Sequence, residues 1–139
     1  MKKLSIVPIL SLLMLVFFLG CATELSIKSM TAEPSTSSPG DSVKCYVVLN
    51  QPTEKVKSVV GTVREYPSYI FAFNNNGENG DDKAGDNIWT TQYTVPWEAP
   101  SEEYHLDIDV LDNEGNRIIS KEVEGETLDR SGTILVVVK

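Results

Sequence analysis

Apolar and polar residues alternate along most of the chain after residue 24. The clearest case is 104–111, where Tyr104, Leu106, Ile108 and Val110 are separated by polar residues. A strand with one buried face shows this period of two. The pattern therefore predicts seven or eight short strands. The segments that carry it are 25–30, 43–50, 56–64, 68–73, 89–95, 104–111, 118–123 and 133–138.

Segments rich in Gly, Pro, Asn and Asp separate these predicted strands and indicate turns or loops. Gly61 interrupts one strand and suggests a β-bulge there. No stretch after residue 21 has the period and caps of a helix. Two antiparallel sheets packed face to face bury the alternating apolar positions, so we expect an all-β sandwich. The predicted loops and turns are 32–41, 51–55, 74–87, 97–103 and 112–116.

The first 20 residues have a different pattern. Lys2 and Lys3 precede an almost wholly apolar run, 4–19, which ends at Gly20 and Cys21. This order of positive charge, apolar run and small residue is typical of a secretory signal peptide. An ordinary secretory signal with an incidental cysteine, or an uncleaved anchor helix, are the alternatives.

The segment 18–21, Phe-Leu-Gly-Cys, resembles the cleavage site of bacterial lipoproteins. The resemblance implies that a diacylglyceryl group is attached to the Cys21 sulfur, that 1–20 is removed, and that a further acyl chain such as palmitate is added. Several acyl chains give the stable anchoring that a single chain does not. We therefore expect a lipidated N-terminus and short tether at 21–24, a domain at 25–139, and an extracytoplasmic location on the cell membrane or outer membrane.

The net charge of the chain limits the classes of binding partner that we expect. The formal charge of −8 becomes −10 once Lys2 and Lys3 are removed, because 1–20 contains no acidic residue. Nucleic-acid binding needs basic patches, so this acidic domain is not expected to bind nucleic acid. It is also unsuited to broad contact with anionic lipid headgroups, which leaves the lipid as the membrane anchor. Cys45 lies in an alternating strand and is expected to be a buried, inert thiol.

Several segments resemble bacterial immunoglobulin-like (Ig-like) surface domains. They are the turn and strand start at 39–43, the Asp/Gly-rich loop leading to an aromatic strand at 76–89, and the strand and hairpin at 104–116. The resemblance implies an Ig-like sandwich with an adhesion, binding or spacer role. It also places Tyr104 at a tyrosine corner, with its hydroxyl bonded to upstream backbone in 96–100.

The loop 74–87 is a candidate calcium site, although no cofactor is required by the predicted fold. Calcium binds six to eight oxygen atoms on a loop that turns at a glycine. With Gly80 as that glycine, the candidate ligands are Asn75, Asn79, Asp81, Asp82 and Asp86. The alternative is a loop without metal, because Asn, Asp and Gly favour turns by themselves.

Nothing in the sequence supports catalysis. His105 is the only histidine and is expected on the exposed face of its strand, together with Asp107 and Asp109. A multi-histidine zinc site is therefore excluded, and no Gly-x-Ser-x-Gly motif accompanies the histidine. We expect no enzyme activity and treat the two aspartates as solubilising charges.

Three aromatic residues are candidate ligand contacts. Trp97 lies in a predicted turn and, with Tyr66 and Tyr69, would form a platform for a sugar or a partner protein. The alternative is that Trp97 caps the end of the core. The sequence thus predicts a membrane-anchored lipoprotein with a non-catalytic binding or structural domain and an unknown protein or glycan partner. The second hypothesis is a carbohydrate-binding or calcium-stiffened accessory module of a larger secreted system.

Overall fold

The computed structural model describes residues 23–139, and within them every regular element is a β-strand. No helix in this part of the chain is long and apolar enough to cross a membrane. The strands are β1 (Ile27–Glu33), β2 (Thr36–Ser37), β3 (Ser42–Leu49), β4 (Ser58–Val63), β5 (Ile70–Phe73), β6 (Ile88–Thr94), β7 (Glu103–Leu111), β8 (Glu122–Val123), β9 (Glu126–Thr127) and β10 (Gly132–Val138).

The strands form two main sheets. One has three strands in the order β1-β3-β6, and the other has five in the order β2-β10-β7-β4-β5. All pairings are antiparallel except that of β2 with β10, which is parallel. The short strands β8 and β9 pair only with each other. The prediction of an all-β fold with two sheets is confirmed.

The core lies between the two sheets. Val43, Cys45, Val47 and Leu49 of β3 are buried, and each is followed by a half-buried residue on the outer face. The inward positions of β7 and β10 show the same alternation and pack against them. The period of two in the sequence therefore predicted correctly which residues of these strands are buried, because burial of alternate side chains stabilises a two-layer sandwich.

Two details of the predicted strands are wrong. The segment 32–41 is not wholly a loop, because β1 continues to Glu33 and β2 lies within it. Gly61 is not a bulge, since β4 pairs with β5 and β7 in continuous register. A Cβ atom on Gly61 would lie 2.8 Å from the Leu106 side chain. The glycine at this position makes room for a core leucine on the neighbouring strand.

The predicted strand 118–123 is also largely wrong. Its first residues begin a hairpin with β7, in which Arg117 opposes Leu111 and the Ile118 amide donates to the Val110 carbonyl. At Ile108 and at the residues of β7 that precede it, that edge is occupied by Ser131 and β10. One strand edge pairs with one neighbour at each position, so the chain leaves the sheet and returns as the β8–β9 hairpin.

Side chains at the end of β3 hold the first described residues. The Asn50 amide group donates to the Glu24 carbonyl at 2.8 Å and accepts from the Ser26 amide at 3.0 Å. The Gln51 side chain donates to the Thr23 carbonyl at 3.0 Å. Residues 23–25 therefore lie beside the turns 51–55 and 112–114, at what we call the tether end of the sandwich.

Candidate binding cleft

A cleft of about 560 Å³ opens between the two sheets at the end opposite the tether end. One side is formed by the last residues of β6 and the segment 96–100, and the other by the five-stranded sheet and the β4–β5 turn. Its volume lies within the range of small-molecule sites. The aromatic residues that line it, which we call the aromatic wall, are Tyr66, Tyr69, Phe71, Tyr93 and Tyr104.

The cleft exists because the two sheets have different widths. β5 extends the five-stranded sheet, and its inward residue Phe71 is only partly buried. Near Phe73 the sheets are joined by a bridge in which Asn74 and Thr90 exchange two backbone hydrogen bonds of 2.7 and 2.9 Å. Beyond this bridge β5 meets the three-stranded sheet through the contact of Phe71 with Tyr93 of β6, and both side chains border the opening.

Two ring pairs organise the aromatic wall. Phe71 of the five-stranded sheet stacks on Tyr93 of the three-stranded sheet, with ring centroids 4.7 Å apart and planes inclined by 27°. Tyr66 and Tyr104 form a tilted pair with centroids 6.0 Å apart. Such offset and tilted contacts are favourable arrangements of aromatic quadrupoles. The first pair connects the two sheets, and the second connects the β4–β5 turn to β7.

The Tyr104 hydroxyl fixes the segment 96–100 against the sheet. It donates a hydrogen bond of 2.9 Å to the Pro100 carbonyl, four residues upstream. The sequence prediction of a bond to backbone in this segment is confirmed. Burial, and then the nearby Glu102 carboxylate, raise the pKa of Tyr104 to about 12. The hydroxyl therefore stays protonated at neutral pH and remains a donor.

Two acidic side chains, Glu98 and Glu102, lie at the mouth of the cleft. Glu98 lines it directly, and Glu102 accepts a hydrogen bond of 3.2 Å from the hydroxyl of Tyr66. That bond to a carboxylate, together with its charge, raises the pKa of Tyr66. Among residues 23–139, no lysine or arginine lines the cleft. The site therefore combines an aromatic and aliphatic interior with a negatively charged rim.

Of the three predicted ligand contacts, the structure brings two into the cleft. Tyr66 and Tyr69 line it, with 41% and 54% of their surface exposed. Trp97 lies outside the cleft and is 78% exposed, and its ring rests against Gly40. The alternative prediction that Trp97 caps the core is therefore wrong. Sequence reasoning missed Phe71 and Tyr93 as cleft residues, because their alternation indicates only that they face inward.

The candidate calcium loop is held by its own hydrogen bonds. The buried Asp81 carboxylate accepts from the Gly77 amide at 2.7 Å, and Asp86 accepts from the Ile88 amide at 2.9 Å. Asn75 donates to the Asp86 carbonyl, while its own Oδ1 is buried without a hydrogen-bond partner.

The two other candidate ligands occupy the outside of this loop. Asn79 adopts a left-handed conformation with φ of 53°, which suits a turn, and Asp82 is exposed. Within residues 23–139, no three His, Cys, Asp or Glu side chains converge as a metal-binding group. These contacts favour turn formation as the role of the loop residues, and calcium binding stays a hypothesis.

The polar residues on the outer face of β7 form ion pairs. Arg64 contacts Asp107 through two bonds of 2.7 and 3.0 Å, and Arg117 contacts Asp109 at 2.7 Å. Burial alone would raise the pKa of Asp107, but the hydrogen bonds from Arg64 and Thr133 outweigh it and lower the pKa.

The remaining titratable groups singled out from the sequence, His105 and Cys45, do not line the cleft. His105 is paired with Glu65 through its Nδ1 atom. Cys45 is fully buried, as predicted, and burial raises the pKa of its thiol to about 12. A thiol held protonated at neutral pH is a poor nucleophile, which agrees with the predicted inert role. The predicted lipidation site, Cys21, lies outside the described residues.

Comparison with known proteins gives no family for this chain. No family model and no curated protein matches it. Among solved structures it is similar to the alkylpurine DNA glycosylase AlkC of Pseudomonas fluorescens, crystallised with DNA containing an abasic site analog, at 11% identity and a TM-score of 0.46. That match covers 86% of this chain and 32% of the glycosylase, so the chain spans about a third of its length.

A second similar structure is a Niemann-Pick type C2 protein from the Japanese carpenter ant. It has 11% identity and a TM-score of 0.46, and the match covers 83% of this chain and 92% of that protein. Likenesses at this level carry no argument about what the chain binds or does.

Proposed function

We propose that this chain is a lipid-anchored extracytoplasmic protein whose Ig-like domain binds a small molecule in the cleft without converting it chemically. The observation that carries the proposal is the cleft of about 560 Å³ between the sheets, with its aromatic wall. A concave, mostly apolar site with a few polar groups is the usual form of a small-molecule site. Asp107 and Asp109 of β7 are engaged by arginines, which favours a binding role over acid–base chemistry there.

The strand order supports an Ig-like assignment. In immunoglobulin domains the strands A, B and E share one sheet, whereas C, F and G share the other. If β1, β3 and β6 correspond to A, B and E, then β4, β7 and β10 correspond to C, F and G, and both sheet orders agree. The bond from Tyr104, near the start of β7, to the Pro100 carbonyl matches the tyrosine corner of that fold.

Anchoring through Cys21 is tested by acyl labelling in a bacterium. We expect the full chain to incorporate labelled palmitate and to fractionate with membranes, because 1–21 has the order of charge, apolar run, glycine and cysteine described above. Cys21→Ala should lose the label. Cys45→Ala is the matched control and should keep it, since that thiol is buried in the core. Retention of the label by Cys21→Ala would refute lipidation at this residue.

Binding in the cleft is tested with a chain that begins at Thr23, which contains both sheets and their core. After cooperative thermal unfolding has been verified, the protein is titrated with N-phenyl-1-naphthylamine, a neutral dye that fluoresces in apolar sites. Ala99→Phe fills the cleft and should remove most of the signal, whereas Ala72→Phe, on the exposed face of β5, should not. Equal signals from the two variants would contradict the proposal.

A second candidate is carbohydrate binding on the outer surface. The observation that favours it is the exposed Trp97, because an indole ring stacks well on a sugar face. A glycan array would show binding that is lost in Trp97→Ala and kept in Ala99→Phe. If calcium stiffens such a module, as the loop hypothesis holds, millimolar calcium would raise the melting temperature, and Asp81→Asn would abolish that rise.

A further inference from the structure

We propose that the ligand of the cleft is a small organic cation, in which a positively charged amine or quaternary ammonium is joined to an apolar body. This inference rests on the proposed function, since it names the ligand class of the same site. It is carried by the coincidence of five aromatic side chains with a carboxylate rim, around an opening of about 560 Å³.

The interior is suited to a cation because aromatic side chains make up much of its lining. The ring face of a tyrosine or phenylalanine carries negative potential and attracts ammonium groups within about 6 Å of the centroid. Tyr66 and Tyr104 approach from one side, and Phe71 and Tyr93 form a stacked pair across the two sheets. The apolar body then fits among the aliphatic residues deeper in the cleft, Leu106, Val136 and Val138.

Charge at the mouth distinguishes a cation from other apolar ligands. Glu98 lines the cleft and Glu102 lies at the rim, hydrogen-bonded to Tyr66. The nearby cation Arg64 is already paired with Asp107 on the outer face of β7. A fatty acid of the same apolar volume would bring its carboxylate towards Glu98 and Glu102 and be repelled. A neutral molecule without a hydrogen-bond donor would gain nothing from either carboxylate.

The position of the cleft indicates the side from which the ligand arrives. Thr23 is clamped at the tether end, and the cleft opens at the opposite end of the strands. The eight residues of β3 run between these ends, a length of about 26 Å. With the proposed lipid on Cys21, the cleft faces away from the supporting membrane. The ligand is therefore captured from the aqueous phase.

The test uses two probes of the same shape. Benzyltrimethylammonium is a cation, and neopentylbenzene replaces its nitrogen with carbon and is neutral. Binding to the chain starting at Thr23 is measured by NMR titration and by displacement of N-phenyl-1-naphthylamine. We expect the cation to bind roughly tenfold more tightly than the neutral probe, and this preference to shrink as salt is raised.

Substitutions that remove the charge of each rim glutamate test whether these carboxylates cause the preference for the cation. Glu98→Gln and Glu102→Gln should each weaken binding of the cation about two- to fivefold and leave the neutral probe unchanged. Glu54→Gln, at the tether end, is the matched control and should affect neither probe.

The outcomes separate the two proposals. Equal affinity for both probes would overturn the cation inference and leave cleft binding standing. Binding of neither probe, with no dye signal, would overturn the proposed cleft function itself. Cation binding that survives Ala99→Phe would place the cation elsewhere on the acidic surface, and would also overturn this inference.

Discussion

The Tyr104→Phe substitution removes one hydroxyl and keeps the ring. The hydroxyl donates at 2.9 Å to the Pro100 carbonyl, and the ring packs beside Tyr66. A net intramolecular hydrogen bond is worth about 0.5–1.5 kcal/mol. Pro100 is exposed, so water replaces the lost donor and the cost falls in the lower half of that range. We therefore expect a loss of about 0.5–1 kcal/mol in the free energy of unfolding.

Two measurements check this value. Urea unfolding of the chain starting at Thr23 should show the lower midpoint with an unchanged slope, since the surface exposed on unfolding is the same. Thermal unfolding should shift down by roughly 2–5 °C for a domain of this size. Tyr69→Phe is the control, because the Tyr69 hydroxyl has no hydrogen-bond partner among the described residues and its side chain is 54% exposed.

A second readout addresses the cleft. Loss of the hydroxyl should free the segment 96–100, so the backbone amide of Ala99 should exchange with solvent faster than in the wild-type protein. If Tyr104→Phe unfolded at the wild-type midpoint with unchanged exchange at Ala99, the hydroxyl would not be what holds the segment 96–100 against the sheet. The tyrosine-corner argument would then be refuted.

Three further predictions concern the core and the tether. Gly61→Ala should cost about 1–3 kcal/mol in urea unfolding because its methyl group would overlap Leu106, and wild-type stability would refute the close contact. Burial raises the folded-state pKa of Cys45 from 9.0 to about 12, so the protonated thiol contributes fully to the free energy of unfolding below pH 9, and this contribution is lost as pH rises towards 12. Cys45→Ala should therefore show a smaller loss of stability between pH 9 and 12 than the wild-type protein. An unchanged dependence of stability on pH would contradict this assignment. Asn50→Ala should speed hydrogen exchange at the Ser26 amide, which it caps at 3.0 Å, while unchanged exchange would show that the clamp does not order the tether.

Alternation along the chain is sufficient to determine the fold class and most of the core. The strands β3 and β7 each bury alternate residues, and the sequence shows that period directly. The same pattern predicted the burial of Cys45. The bond from Tyr104 to backbone in 96–100 was predicted from the resemblance to Ig-like domains, and its partner, Pro100, is only four residues away. These features are local, since side-chain direction in a strand follows from residue parity alone.

The position and lining of the cleft follow from the tertiary structure and not from the alternation in the sequence. Its stacked pair joins Phe71 to Tyr93, and its tilted pair joins Tyr66 to Tyr104, across separations that alternation does not encode. The prediction of a strand at 118–123 was wrong for the same reason, because β10 pairs with the edge of β7 along which this segment would have to continue. Sequence alone determined which residues face inward. Where that inner surface borders the cleft depends on how a three-stranded and a five-stranded sheet pack together. The number of strands in each sheet, and which strand lies at each edge, follow from pairings between segments that are distant in the sequence.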